Sequence, residues 1–343
     1  IKYLVEYFRG NAKLLAEDGY FTDFISNGVS TELCFVAFCA FTLIIIFAGV
    51  QNGIERVSKI MMPILIVLSV IIAVYSVTRP GALAGVKYFL VPNVKNFSWM
   101  TVVSAMGQMF YSLSIAMGIL ITFGSYMKKD TAIEDSTRNV EIFDTGIAIM
   151  AGLMIIPAVF AFSGGDPGTL QAGPSLMFIT IPKVFQNMGF GTVIGIVFFL
   201  LVLFAAVTSS IALTESAVST FEDELGWGRK KATVLVGVIM LALGSLSSLG
   251  YGPLAGIKII GMQFLDLFDF LTNSVMMPIA ALLTSLFVSR VVGIDKIEEE
   301  IIHGESAFRR KKVFVVMIKY LCPVFAIIIL LSSVANALGW IKM

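Results

Sequence analysis

Residues 96–127 read NFSWMTVVSAMGQMFYSLSIAMGILITFGSYM, thirty-two residues without a charged side chain. A helix needs about 20 apolar residues to cross a bilayer core, so this segment is longer than one straight span requires. It also carries polar groups that a purely packing helix does not need. Gln108 and Ser112 stand four apart on one helical face, Tyr111 and Ser114 lie nearby, and Gly107, Gly118 and Gly124 punctuate the run. Two readings stand open. In one, the helix is discontinuous, and its unwound centre exposes backbone carbonyls and amides to an ion or solute. In the other, it is a continuous tilted helix whose small residues pack closely on its neighbours, and the pattern alone favours this version.

Seven further stretches are free of charge: Leu33 to Ile54, Ile60 to Thr78, Thr145 to Gly165, Val184 to Thr214, Ala232 to Ile257, Phe270 to Ser289 and Tyr320 to Ile341. Across all 343 residues, 57% are hydrophobic and 14% charged, with mean hydropathy +0.92. A soluble domain carries about 25% charged residues. Soluble enzymes, nucleic-acid binders and disordered chains are therefore excluded, the net charge of +1 giving phosphates nothing to bind. The expected fold class is all-α, a polytopic helical membrane protein with eight transmembrane helices.

Loop charges set the expected orientation. Arg56, Lys59, Lys128, Lys129, Arg138, Arg229, Lys230, Lys231, Arg290, Lys296 and the basic residues of 309–312 fall in one set of alternate loops. The opposite set holds Arg79, Lys87, Lys95, Lys183, Lys258 and Lys342, joined by Lys2, Arg9 and Lys13 of the opening segment. Positive-inside bias puts the first set in the cytoplasm of a plasma (inner) membrane protein and both ends of this chain outside. The outer segments 79–98 and 164–183 are apolar but broken by Gly and Pro, and read as short helices capping that face. Cys34, Cys39 and Cys322 lack metal spacing, and the lone His303 has no metal or nucleophile partner, so no enzyme chemistry is expected.

Other positions carry candidate chemistry. Thr208, Ser209 and Ser210 offer three consecutive hydroxyls inside an apolar run, either as oxygens for a small hard cation or as donors to carbonyls one turn back. Asp144, Glu215, Asp266 and Asp269 lie at the ends of apolar runs. By position each reads as a helix-end carboxylate meeting water, Asp144 the least comfortably. Gly53 and Pro63 bracket a segment that either unwinds or is a loop followed by a proline in the first turn of a helix.

In chain order, GQMFYSLSIAMG (107–118), SYMKKD (125–130), FDTGIAIMAG (143–152), FAAVTSSIAL (204–213) and FEDELG (221–226) together resemble the bacterial amino-acid branch of the neurotransmitter:sodium symporter family. The resemblance covers essentially the whole chain. It implies a leucine-transporter-like inverted-repeat bundle forming one transporter domain over 1–343. IKYLVEYFRG resembles the tail of the family's third helix, and the eight spans resemble helices four to eleven. On that basis 1–31 is an extracellular segment, 32–78 the last two helices of the first repeat, 99–290 the second repeat and 313–341 the final helix. The family's first three helices have no counterpart here, so each sodium site is expected to be half built and this chain alone not to transport.

Residue roles follow from the same resemblance. The carbonyl of Ser112 and the side chain of Asp144 resemble ligands of a first sodium site. The carbonyl of Ala205, with the hydroxyls of Thr208 and Ser209, resembles a share of a second. Tyr111, Ser112, Ser114, Met117, Ser209 and Leu213 are implied around an amino-acid substrate at an unwound stretch from Ser114 to Gly118. Asp269 resembles an outer-gate acid, Asp223 an inner-gate acid, and Gly53 to Pro63 an unwinding element. Chloride-dependent members carry a serine four residues after the first-site residue, where this chain has Ala148. Asp144 replaces a neutral Asn, so its fixed charge implies chloride independence. The expected function is sodium-coupled uptake of a hydrophobic or aromatic amino acid by alternating access, with sodium, substrate and the lipid bilayer as partners and no nucleic acid. A non-transporting fragment and a channel or receptor are the alternatives.

Overall fold

The computed structural model describes residues 1–166, 168, 173–337 and 340. The end of the segment 164–183 that holds residues 167 and 169–172, the last residues of the final apolar stretch, and Lys342 lie outside them. The helices are α1 (Lys2–Phe8), α2 (Tyr20–Ser26), α3 (Gly28–Phe47), α4 (Arg56–Val77), α5 (Ala82–Leu90), α6 (Trp99–Ser112), α7 (Ile119–Ser125) and α8 (Ile133–Ser163). They continue with α9 (Ile181–Gln186), α10 (Gly191–Leu225), α11 (Arg229–Leu249), α12 (Phe264–Asp269), α13 (Met277–Phe287), α14 (Ile294–Gly304), α15 (Lys311–Val316) and α16 (Cys322–Ala337). Among the described residues there is no β-strand, only an isolated bridge between Ile259 and Met262.

Among the described residues seven continuous helical rods are long and apolar enough to cross a membrane: Gly28–Phe47, Val50–Val77, Ile133–Ser163, Gly191–Leu225, Arg229–Leu249, Phe264–Val292 and Lys311–Ala337. Of the eight expected spans, the stretch quoted first is not among these rods. There α6 has 14 residues and α7 has 7, each short of the ~20 that an unbroken span needs. Wide π turns occur in three of the rods, opening one at Val50–Glu55, lying within and ending another at Phe270–Met276 and Val288–Val292, and lying within the third at Met317–Leu321. Of the two expected capping segments, the first contains the short helix α5, and the short helix α9 begins at the end of the second.

The chain packs as two compact units. One comprises Ile1–Asn93 with Gly146–Gln263, the other Val94–Thr145 with Phe264–Met343, so α8 contributes to both. In the first unit, α10 runs against α1, α4, α3 and α11, and α3 pairs with α11. Its core joins Tyr3, Tyr7, Ile72, Phe185, Phe198 and Phe199. Tyr7 packs against Gly195, where an added Cβ would come within 2.2 Å of its ring, so only glycine admits the tyrosine there. Polar groups in this apolar setting are matched across helices: the Tyr3 hydroxyl donates to the Phe178 carbonyl at 2.7 Å, and Ser76 donates to that of Met154 at 2.7 Å.

Glu6 of α1 is 4% exposed and accepts from Asn11 at 2.7 Å, Lys2 at 3.0 Å and Arg9 at 3.3 Å. The Asn11 hydrogen bond, then that of Lys2, holds its carboxyl below the usual carboxylate range. A lowered folded pKa means stability that is present above about pH 4.3 and lost as pH falls through the folded value. Glu6→Gln should therefore cost about 1–3 kcal/mol at pH 7. Melting curves of the two proteins from pH 7 to 3 should converge, and a constant gap would contradict this role.

In the second unit, α16 packs on α13 and α6. The loop after α14 fastens the base of α8. Glu305 accepts from the backbone N–H of Glu134 at 2.6 Å, supplying an acceptor that the first turn of a helix lacks. Arg310 reaches Glu141 at 2.9 Å and Glu134 at 3.8 Å, and Lys311 pairs with Glu298.

Candidate functional site

Ser98 and Thr101 close a capping box at the start of α6. The helix stops at Ser112, and helical geometry resumes only at Ile119, beyond Gly118. Ser114 at φ 54°, Ala116 at φ 63° and Gly118 at φ 78° all lie in the left-handed region. For each of the two non-glycine residues this costs about 1–2 kcal/mol, which a continuous tilted helix would not incur. The discontinuous reading is the one realised. Across the break, the Ile115 N–H bonds back to Phe110 at 3.1 Å and the Ser114 N–H to Tyr111 at 3.0 Å, and among the described residues no backbone N–H takes up the Ser112 carbonyl. Gly118→Ala adds strain of about 1–2 kcal/mol against an unfolded-state gain of about 0.4–1 kcal/mol. The variant should melt slightly lower than the parent, and an unchanged or raised melting temperature would mean that the left-handed geometry at this position is dispensable.

Asp144 comes from α8, 32 positions along the chain, and its Oδ1 accepts from the Ser112 hydroxyl at 2.5 Å. A carboxylate, a hydroxyl and an unclaimed carbonyl thus gather at the end of α6. Oxygens of these types are those a small hard cation prefers. Ala148 follows Asp144 by four residues, on the same face of α8. Ser114 borders a cavity of about 360 Å³ in this unit, alongside Phe110, Ile115, Thr284, Cys322 and Phe325. Tyr111 is 52% exposed. Neither it nor Met117 lines that cavity.

Ala205, Thr208, Ser209 and Leu213 lie on α10, in the other unit. The Thr208 hydroxyl donates to the carbonyls of Phe204 at 3.1 Å and Ala205 at 3.0 Å, the back-bonding alternative of the two considered. That bond also sets the Ala205 carbonyl and the Thr208 hydroxyl side by side. Ser210 turns away to Thr42 of α3, with the two hydroxyl oxygens 3.0 Å apart, while Ser209 and Leu213 share an exposed face one turn apart.

Asp269 ends α12 at the start of a π turn and accepts from Asn273 at 2.6 Å. Asp223 is exposed near the end of α10. The segment Gly53 to Pro63 is helical throughout. Gly53 sits in a π turn where a Cβ would lie 2.1 Å from the Ile45 carbonyl. Pro63 stands in the interior of α4, not in its first turn, and deprives the Lys59 carbonyl of its usual donor.

Two groups were missed in the sequence. Glu215 is not a helix-end carboxylate in water but 0% exposed, held by both terminal nitrogens of Arg229 at 2.9 and 2.6 Å. Arg229 also donates through Nε to the Ile46 carbonyl at 3.0 Å, so one guanidinium joins α10, α11 and α3. The available signal was an acid inside an apolar helix, followed after a Gly-flanked turn by an arginine. Glu32 is the second group. It flanks a charge-free stretch and carried no expected role, and it lies one turn inside α3.

A family model described as the sodium:neurotransmitter symporter family matches residues 3–340. The chain is 33% identical over 336 residues to the uncharacterized sodium-dependent transporter YhdH of Bacillus subtilis, covering 97% of this chain and 74% of that protein. It is 31% identical over 292 residues to an uncharacterized sodium-dependent transporter of Haemophilus influenzae, covering 84% of this chain and 62% of that one. Among solved structures, MhsT in complex with L-phenylalanine superposes with TM-score 0.83 at 34% identity, covering 96% of this chain and 75% of that one.

Proposed function

Because the chain belongs to the sodium:neurotransmitter symporter family, we propose that the protein carrying it imports a hydrophobic or aromatic amino acid together with sodium. Membership makes it a multi-pass membrane transporter and not an enzyme. The observation that carries the finer reading is the meeting of Asp144 with Ser112 at the broken helix. A sodium ion is held by the Asp144 carboxylate, the Ser112 carbonyl and groups from elsewhere in the protein. A second uses the Ala205 carbonyl with the hydroxyls of Thr208 and Ser209, Thr208 exchanging its back-bond for the cation. The backbone of Ser114 to Gly118 receives the charged end of the substrate, and Tyr111 and Met117 meet its side chain. Asp269 and Asp223 serve the outer and inner gates, and Gly53 to Pro63 admits water to the inner sodium site.

The solved neighbour's phenylalanine supports an aromatic substrate. The test is counterflow in proteoliposomes carrying the full-length protein, with phenylalanine, leucine, glycine and glutamate as competitors. Sodium-dependent exchange of the apolar amino acids is expected. A preference for glutamate would overturn the pocket assignment, and undiminished exchange with sodium replaced by choline would overturn the coupling.

A further inference from the structure

Glu32 lies one turn inside the membrane-spanning helix α3. Its Oε1 accepts from Ser245 at 2.5 Å and its Oε2 from Ser248, both on α11. Two hydroxyls fix the carboxylate in place but bring no charge. Among the described residues no Lys, Arg or His nitrogen makes an ion pair with it. An acid in a span is costly without a cation or a route to water. Side chains on a helix lean toward its N-terminus, so this carboxylate leans toward the nearer end of α3, where the headgroups of a bilayer begin.

Beside it runs a groove of about 540 Å³, walled by Val29, Leu33, Val36, Leu249 and Pro253. Val29 is 73% and Leu33 66% exposed, on a helix long and apolar enough to cross a membrane. A negative group at the head of an apolar groove is the complement of an amphiphile with a positive head. We propose that Glu32 anchors one phospholipid bearing a primary ammonium, its acyl chain lying along Val29, Leu33 and Val36. The ammonium supplies the charge the serines do not, and its three N–H donors suit the lone pairs left on the two carboxylate oxygens. An anionic headgroup meets repulsion at the same place.

The experiment is native mass spectrometry of the detergent-solubilised full-length protein titrated separately with phosphatidylethanolamine, phosphatidylcholine and phosphatidylglycerol. One phosphatidylethanolamine per chain is expected, bound about 10-fold more tightly than phosphatidylglycerol, with phosphatidylcholine between because its quaternary nitrogen donates no hydrogen bond. Glu32→Gln should lower phosphatidylethanolamine binding about 10-fold, to the phosphatidylglycerol level. Leu33→Trp obstructs the groove, keeps the charge, and should weaken binding too, which preserves the test if Glu32→Gln fails to fold. Equal retention of the two lipids, or unchanged affinity in the variants, would overturn the proposal. So would a crosslink from Glu32 to a lysine of a second copy or of another segment in lipid-free protein.

Discussion

Asp144→Ala reduces sodium-driven uptake to background, and Asp144→Asn makes uptake depend on chloride. Both outcomes follow from the carboxylate that meets Ser112 at the broken helix. A unit charge about 4 Å from a cation is worth about 4 kcal/mol at an effective dielectric near 20. Losing it should raise the sodium concentration needed for half-maximal uptake at least ~100-fold. The amide of Asn keeps an oxygen but gives up the charge, so a mobile anion must replace it. Ala148, one turn along the same face of α8, is the position from which a hydroxyl would hold that anion. Uptake by the parent should be indifferent to replacing chloride with gluconate. The double variant Asp144→Asn/Ala148→Ser should be activated by chloride about 10-fold or more, a little over 1.4 kcal/mol. Loss of parental uptake without chloride would remove the argument.

Arg229→Met destabilises the protein by about 3–5 kcal/mol, because it leaves the fully buried Glu215 without its counter-charge. Nearby Glu222, 3.6 Å from Arg229, then adds like-charge repulsion. Arg229→Lys should recover only part of the loss. A lysine ammonium is a point donor and cannot hold both carboxylate oxygens and the Ile46 carbonyl in the fixed fork that a guanidinium offers. The double change Glu215→Met/Arg229→Met should be nearly as stable as the parent, since two apolar side chains incur no desolvation of charge. Thermal unfolding of the parent, Arg229→Met, Glu215→Met and the double variant gives the coupling directly. Additive losses in the double variant would show that the pair does not act as a unit.

Much of the architecture was legible along the chain. Spans announce themselves because lipid forbids uncompensated charge over about 20 residues, and all but one of the eight charge-free stretches became a continuous helical rod. The exception was legible in part: its excess length and its glycines marked a break, while the positive φ at Ser114 and Ala116 had no signature, because neither residue type favours that geometry. The hydroxyls of residues 208–210 were equally ambiguous, since a threonine in a helix always has a carbonyl one turn back within reach. Only packing assigned Ser210 to Thr42 and left Thr208 on its own helix.

Composition, period and charge-free length are properties of neighbours along the chain, so the sequence alone determined the membrane class and nearly every span, and left the break as one of two readings. Pairing belongs to helices that meet in space. Ser112 with Asp144, Glu215 with Arg229 and Glu32 with Ser245 and Ser248 join different helices, up to 216 positions apart. In an apolar interior a polar group must find whichever partner the packing brings, and that choice was made only by the tertiary structure.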